Sequence, residues 1–181
     1  MRIIAGSHKG RRLTPPKDNT ARPTADRARE ALFSILTSRD AIFDQCIVLD
    51  CFAGTGALGL EALSRGAGHA TFMEFNPSAL SVIKANVASL DLAHACTIVK
   101  TDATKPPAAP GPCDLVFLDP PYNQGLVGPC LDGLLHQGWL GQHSTIVVEI
   151  AASETLDLPA GFTQQDERRY GAAKIVILGK A

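Results

Sequence analysis

Three observations predict an α/β fold. Apolar strand-like runs alternate with helical stretches between Cys46 and Ile150, several of those runs end in a carboxylate, and the pattern changes to two adjoining strands near the C-terminus. Alternation of this kind implies a parallel sheet covered on both faces. The expected architecture is a mostly parallel seven-stranded sheet with helices on both faces, an antiparallel C-terminal hairpin and a small basic β-hairpin at the N-terminus. Residues 1–22 read as that hairpin arm and residues 23–181 as the α/β domain.

Composition narrows the class. With 181 residues, 45% hydrophobic and 19% charged, the chain is long enough to bury a core and falls in the globular range. No apolar run approaches the roughly 20 residues of a membrane span, and the N-terminus lacks a signal peptide's apolar region, so a cytoplasmic protein is expected. The five cysteines contain no Cys-x-x-Cys pair, which points away from a zinc site or a disulfide framework and toward small core residues. The net charge of −1 hides an asymmetry: residues 1–39 hold nine Lys/Arg against three Asp/Glu. A basic arm on an acidic body suggests contact with a nucleic acid.

In chain order, Arg2–Ala5 reads as a strand, Gly6–Gly10 as a turn carrying Lys9, and Arg11–Thr14, with Arg12, as the return strand. Pro15–Asn19 reads as loop. A helix follows, with Thr24 as N-cap and Ala28, Ala31, Leu32, Ile35 and Leu36 on its apolar stripe. Arg22, Arg27 and Arg29 lie near its start, where cations oppose the helix dipole, and so suit an anionic partner. Strands are then expected at Cys46–Asp50, His69–Glu74, Ala95–Lys100, Asp114–Leu118 and Thr145–Ile150. Helices are expected at Thr55–Ser64, Pro77–Ser89 and Leu126–His136, and an edge hairpin at Gly161–Tyr170 and Lys174–Leu178.

The chemistry gathers at the carboxyl ends of those strands, the edge where open α/β sheets bind ligands. Asp119-Pro120-Pro121-Tyr122 follows the apolar run Leu115–Leu118. Each proline lacks an N–H and restricts the residue before it, so the turn is rigid and offers a carboxylate, a carbonyl and an aromatic face. Those groups suit a planar base that bears an amine. Earlier, Asp50-Cys51-Phe52-Ala53-Gly54-Thr55-Gly56-Ala57-Leu58-Gly59 contains a Gly-x-Gly-x-x-Gly, which alone would suggest a dinucleotide. Asp50 opposes that reading, because a carboxylate at the strand end repels a pyrophosphate. It suits a ligand with an ammonium and a sulfonium, as in S-adenosylmethionine (SAM). Glu74 ends the next strand, where an acid grips ribose hydroxyls, and Asp102-Ala103 follows the third, placing Asp102 to accept from an adenine amine. No metal is called for.

Asp50-x-Phe52-Ala53-Gly54-Thr55-Gly56 together with Asp119-Pro120-Pro121-Tyr122 resembles the class I SAM-dependent methyltransferases that modify exocyclic base amines. Arg2-Ile3-Ile4-Ala5-Gly6, Lys9-Gly10-Arg11, Arg22-Pro23-Thr24-x-Asp26-Arg27-x-Arg29-Glu30-x-Leu32-Phe33, Phe52–Ala67 and Tyr170-Gly171 resemble, more narrowly, the RsmD family of bacterial 16S rRNA guanine-N2-methyltransferases. The resemblance runs nearly end to end; the loop Lys105–Pro112 and the tail beyond Tyr170 match less closely. It implies a Rossmann-like class I fold, SAM as methyl donor, guanine 966 of 16S rRNA as acceptor, and a partly assembled small ribosomal subunit as substrate. Asp119, Pro120, Pro121 and Tyr122 are then catalytic. Asp50, Phe52, Ala53, Gly54, Thr55, Gly56, Glu74, Asp102 and Ala103 hold the cofactor, and Arg2, Lys9, Arg11, Arg12, Arg22 and Arg29 meet RNA.

Three alternatives stay open on the residues alone. A DNA adenine-N6 or cytosine-N4 methyltransferase would use the same turn, although the short chain leaves little room for a target-recognition insertion. A non-catalytic RNA-binding or assembly module on the same fold is opposed by the intact acids. An NAD oxidoreductase is disfavoured by Asp50. Oligomeric state is not indicated.

Overall fold

The strands form where apolar and β-branched residues run without interruption, and their burial on both faces shows that the sheet is the molecule's middle layer. In the computed structural model, which describes residues 1–15, 23–41 and 44–181, seven strands form one sheet. They are β1 (Ile47–Cys51), β2 (His69–Glu74), β3 (Cys96–Lys100), β4 (Cys113–Leu118), β5 (Leu140–Ala151), β6 (Phe162–Tyr170) and β7 (Ala173–Lys180). Their order is β3-β2-β1-β4-β5-β7-β6. β7 runs antiparallel to both of its neighbours, and every other pairing is parallel. The expected C-terminal hairpin is therefore present, with its second strand inserted between β5 and β6. β7 is accordingly buried along its length, whereas β6 forms the edge.

Four α-helices cover the sheet: α1 (Pro23–Ser38), α2 (Ala57–Ser64), α3 (Pro77–Ser89) and α4 (Val127–His136). On one face, Leu32, Phe33 and Leu36 of α1, Leu60 and Leu63 of α2, and Ile83 and Val87 of α3 pack on Val48, Phe72, Leu115 and Phe117. On the other, Val127, Cys130, Leu131 and Leu134 of α4 pack on Leu49, Val116, Leu118 and Ile146. None of these helices is long and apolar enough to cross a membrane.

Element ends differ from expectation where local chemistry overrides the pattern. α2 starts at Ala57 rather than Thr55, because Gly54 and Gly56 hold φ of 56° and 75°, which a right-handed helix excludes. α1 starts at Pro23, so Thr24 falls in its first turn instead of capping it; proline suits that turn because its missing N–H would be unpaired there. α3 keeps its expected start: Pro77 opens it, and Asn76 Oδ1 caps it by accepting the Ser78 N–H at 2.8 Å. Arg22 and most of the loop expected after Thr14 lie outside the described residues.

At the N-terminus two segments face each other in a hairpin joined by a single antiparallel bridge, where two strands are expected. Arg2 and Arg12 pair across it, and the Ile3 N–H donates to Arg11 O at 2.9 Å. Ile3 and Leu13 are buried in the α1–α3 face of the core, so the hairpin is packed on the α/β body along one side.

Candidate active site

The register of the central strands builds the site. Cys51 of β1 pairs with Leu118 of β4, and Leu118 with Val148 of β5. One residue further on, Phe52 and Asp119 leave the sheet at its carboxyl edge, beside Glu149, which stays within β5 and pairs with Ile175 of β7. Side chains alternate along a strand, so Asp119 and Glu149 share the face of Phe117 and Val147, to which Asp50 also belongs. Three carboxylates from three adjacent strands thus project on one side.

Asp119 and Glu149 meet in a cleft of about 520 Å³, lined also by Phe52, Gly54, Glu74, Thr101, Ala103 and the rest of the Asp119–Tyr122 turn. A cavity of about 200 Å³ adjoins it, lined by Asp50, Phe52 to Thr55, Asp119, Glu149 and residues of α1. The sequence-predicted turn, glycine loop and Ala103 are therefore brought together. Asp119 is surrounded by protein yet open to the water of the cleft. Burial, followed by the charges of Glu149 and Asp50, raises its carboxyl well above the ordinary range. Tyr122 donates its hydroxyl to Glu149 Oε1 at 2.8 Å, which ties the turn to β5.

Asp50 is buried, and its Oδ2 accepts the Gly59 N–H at 3.0 Å. Desolvation pushes its pKa up to about 7; the Gly59 bond opposes that shift and Glu74 adds to it. Gly59 is glycine for a packing reason, since a Cβ there would lie 2.5 Å from the Phe72 ring. Phe52 is the residue under strain: its φ of 58° is unusual for a bulky side chain and turns the backbone from β1 into the loop.

Glu74 is spent largely on its own loop. Its Oε2 accepts the Gly54 N–H at 3.0 Å, and its Oε1 accepts Phe75 N–H at 2.9 Å and Asn76 N–H at 2.8 Å. It still lines the cleft, with one acceptor site left on Oε2. Asp102 differs from expectation. It is exposed, and its Oδ1 accepts both the Thr104 N–H at 2.9 Å and the Thr104 hydroxyl at 2.8 Å, bonds that lower its pKa. The cleft wall passes through its neighbours Thr101 and Ala103 instead.

Comparison with known proteins fits this geometry. Residues 1–179 match a family model described as "Conserved hypothetical protein 95". Ribosomal RNA small subunit methyltransferase D of Escherichia coli strain K12 is 40% identical over 174 residues, which are 94% of this chain and 85% of that protein. The chain belongs to the RsmD family. A Bacillus subtilis relative, YlbH, named as an rRNA methyltransferase, is 37% identical over 99% of both chains. The solved structure of yhhF from Escherichia coli, named as a methyltransferase, superposes with a TM-score of 0.84 at 36% identity, covering 99% of this chain and 97% of that one. The RsmD-family chain has the Rossmann-like class I methyltransferase fold, whose glycine loop and Asp119 turn share one cleft.

The arginines of this RsmD-family chain divide by burial. Arg2, Lys9, Arg11 and Arg12 are exposed on the hairpin, as an RNA contact requires. Arg29 is 6% exposed, which overturns its expected role at the surface. Its guanidinium bonds Asp26 Oδ1 at 3.0 Å and the Arg2 carbonyl, and lies 3.8 Å from Glu61. The physical reason is helical phase: Arg29 stands three, four and seven residues before Leu32, Phe33 and Leu36, on the buried stripe. Arg27, about 200° round the helix, is exposed and lines a surface recess of about 450 Å³ with Arg2 and Lys9.

Glu149 and Phe75 are among the cleft residues that carry no assignment from the sequence. Glu149 lines both cavities, and the signal for it is the one that singles out Asp119: an acid near the end of a buried strand. Phe75, 67% exposed at the cleft mouth, has no signal beyond following Glu74.

Proposed function

We propose that the chain transfers a methyl group from SAM to the exocyclic N2 amine of a guanine in 16S rRNA of the small ribosomal subunit, guanine 966 by family resemblance. The reading rests on the Asp119 turn standing in one cleft with the glycine loop, and on relatives named as small-subunit rRNA methyltransferases. The residues fit the cofactor. Phe52 to Gly54 offer open backbone to its amino-acid portion, Glu74 faces the cleft, and the excess of carboxylates suits a net cation. Bound there, SAM supplies an electrophilic methyl carbon on a sulfonium.

The chain's own residues do the rest. A guanine N2 lone pair is delocalised into the ring and must be made pyramidal. Asp119 and the Pro120 carbonyl accept its two hydrogens, and Tyr122 supplies an aromatic face for the base. Because burial and neighbouring acids raise its pKa, Asp119 is a better proton acceptor than an ordinary carboxylate. As the amine nitrogen takes the methyl carbon, the S–CH3 bonding pair would stay with the sulfur, and the nitrogen gives a proton to Asp119, so charge does not accumulate on the base. The exposed hairpin cations hold the RNA backbone.

Mass-spectrometric mapping of 16S rRNA from a deletion strain tests the whole. One N2-methylguanosine should be absent and should return with this chain but not with its Asp119→Ala variant. An unchanged modification map overturns the reading.

A further inference from the structure

Leu118 of β4 pairs with Val148 of β5, so Asp119 and Glu149 emerge as neighbours on one face, and both line the cleft and the cavity beside it. Glu149 is held in place. Its Oε1 accepts the Tyr122 hydroxyl at 2.8 Å, while its Oε2 accepts from none of the described residues. Beside the carboxylate that meets an exocyclic amine there is thus a second carboxylate, oriented and with an open acceptor atom.

The Watson–Crick edges of the bases respond differently to such a pair. Guanine presents N1–H next to its N2 amine, two adjacent donors. Adenine and cytosine present a ring lone pair next to theirs. A carboxylate in the second position accepts the N1–H of guanine and repels the lone pair of the other two, so it selects by attraction and by rejection together. We propose that Glu149 is the residue that specifies guanine, taking N1–H while Asp119 and the Pro120 carbonyl hold N2. This rests on the guanine-N2 reading above and names the group that makes the choice. Tyr122 is then a positioning residue for Glu149 as well as a face for the base.

The test uses small-subunit particles reconstituted on 16S rRNA that carries, by splinted ligation at the mapped position, either guanine or 2-aminopurine. The analogue keeps the N2 amine and replaces N1–H by a lone pair. Wild-type protein should methylate guanine about 10- to 100-fold faster than 2-aminopurine, the discrimination one well-made base contact provides. Glu149→Gln still accepts from Tyr122 and can turn its amide to either partner, so its ratio should fall close to one, with SAM affinity measured by calorimetry unchanged. A merely structural role for Glu149 would slow both substrates and leave the ratio as it was. That result, with an active wild type, overturns the proposal alone; a wild type inactive on guanine overturns the guanine reading and this proposal with it.

Discussion

At the scale of single residues, the candidate site is defined by carboxylates gathered at one edge of the sheet. Asp119→Ala removes the acceptor for the amine and should lower methyl transfer by at least about 10²-fold. Calorimetric SAM affinity should stay within about threefold; a comparable loss of cofactor binding would mean that Asp119 belongs to the cofactor's half of the cleft. Asp50 gives a pH prediction of definite sign. Its folded pKa of about 7 lies above the unfolded value, so its contribution to stability is complete below about 4 and is lost as pH rises through about 7. A cationic ligand favours the charged form and pulls that pKa down. SAM should therefore bind more tightly as pH rises from 5.5 to 7, by at most about tenfold per pH unit for one proton released, and level off above 7. Titrations in buffers of different ionisation enthalpy should show the proton leaving, and Asp50→Asn should flatten both effects.

At the scale of elements, the N-terminal hairpin is positioned by a carboxylate that the sequence does not single out. Glu61 of α2 is fully buried, and its two oxygens accept Ile4 N–H at 2.8 Å and Ala5 N–H at 3.0 Å. Arg65 Nε bonds it at 2.8 Å, and Arg29 approaches to 3.8 Å. Gly6 completes the seam, since a Cβ there would lie 1.7 Å from Ser64 O. Glu61→Ala leaves two arginines facing a buried gap and should cost about 3–5 kcal/mol in denaturant unfolding. Hydrogen exchange should show protection lost at Ile4 and Ala5; retained protection would place the clamp elsewhere. This clamp explains what is legible in the sequence and what is not. The strands, the glycine loop and the Asp119 turn follow from local pattern, because each is decided within about ten residues. Arg29 defeats a local reading because only the helix's final orientation reveals that its phase is the buried one. Glu61 escapes it because its partners in the hairpin lie 56 and 57 positions away, and Arg65, four residues on, by itself reads as an ordinary helix-surface pair. Asp102 has the expected place after β3, but Thr104 two residues on captures its carboxylate.

At the scale of the whole molecule, charge is divided between two regions that the clamp joins. Residues 1–39 carry nine of the 17 Lys/Arg but three of the 18 Asp/Glu, which leaves the rest of the chain acidic. The basic hairpin is docked on α2, the helix that follows directly from the glycine loop, and Met1 and Arg29 line the smaller cavity with Asp50 and Asp119. An RNA bound on Arg2, Lys9, Arg11 and Arg12, as proposed above, would lie at a fixed offset from Asp50 and Asp119, and the net negative charge of the remaining chain favours that approach over others. Arg11 and Arg29 show how the basic residues are shared out: Arg11 spends one N–H on the Ser89 carbonyl and stays exposed, whereas Arg29 is wholly internal. Replacing Arg2, Lys9, Arg11 and Arg12 together by Gln should reduce the slope of log affinity against log salt by about 0.7–0.9 for each phosphate no longer neutralised, up to roughly 3 in all. SAM affinity should be unchanged, because none of the four side chains enters the cleft or the Glu61 clamp, and the unfolding midpoint should fall only by what the bond from Arg11 to the Ser89 carbonyl contributes. Arg27→Gln, added to the four, should lower the slope further, since its side chain shares the recess of Arg2 and Lys9; Arg29→Gln should instead lower stability and leave the slope alone. Filter-binding titrations across a salt series read the affinity and its slope, denaturant unfolding reads the stability, and a full slope in the fourfold variant would move the RNA-binding surface off the hairpin.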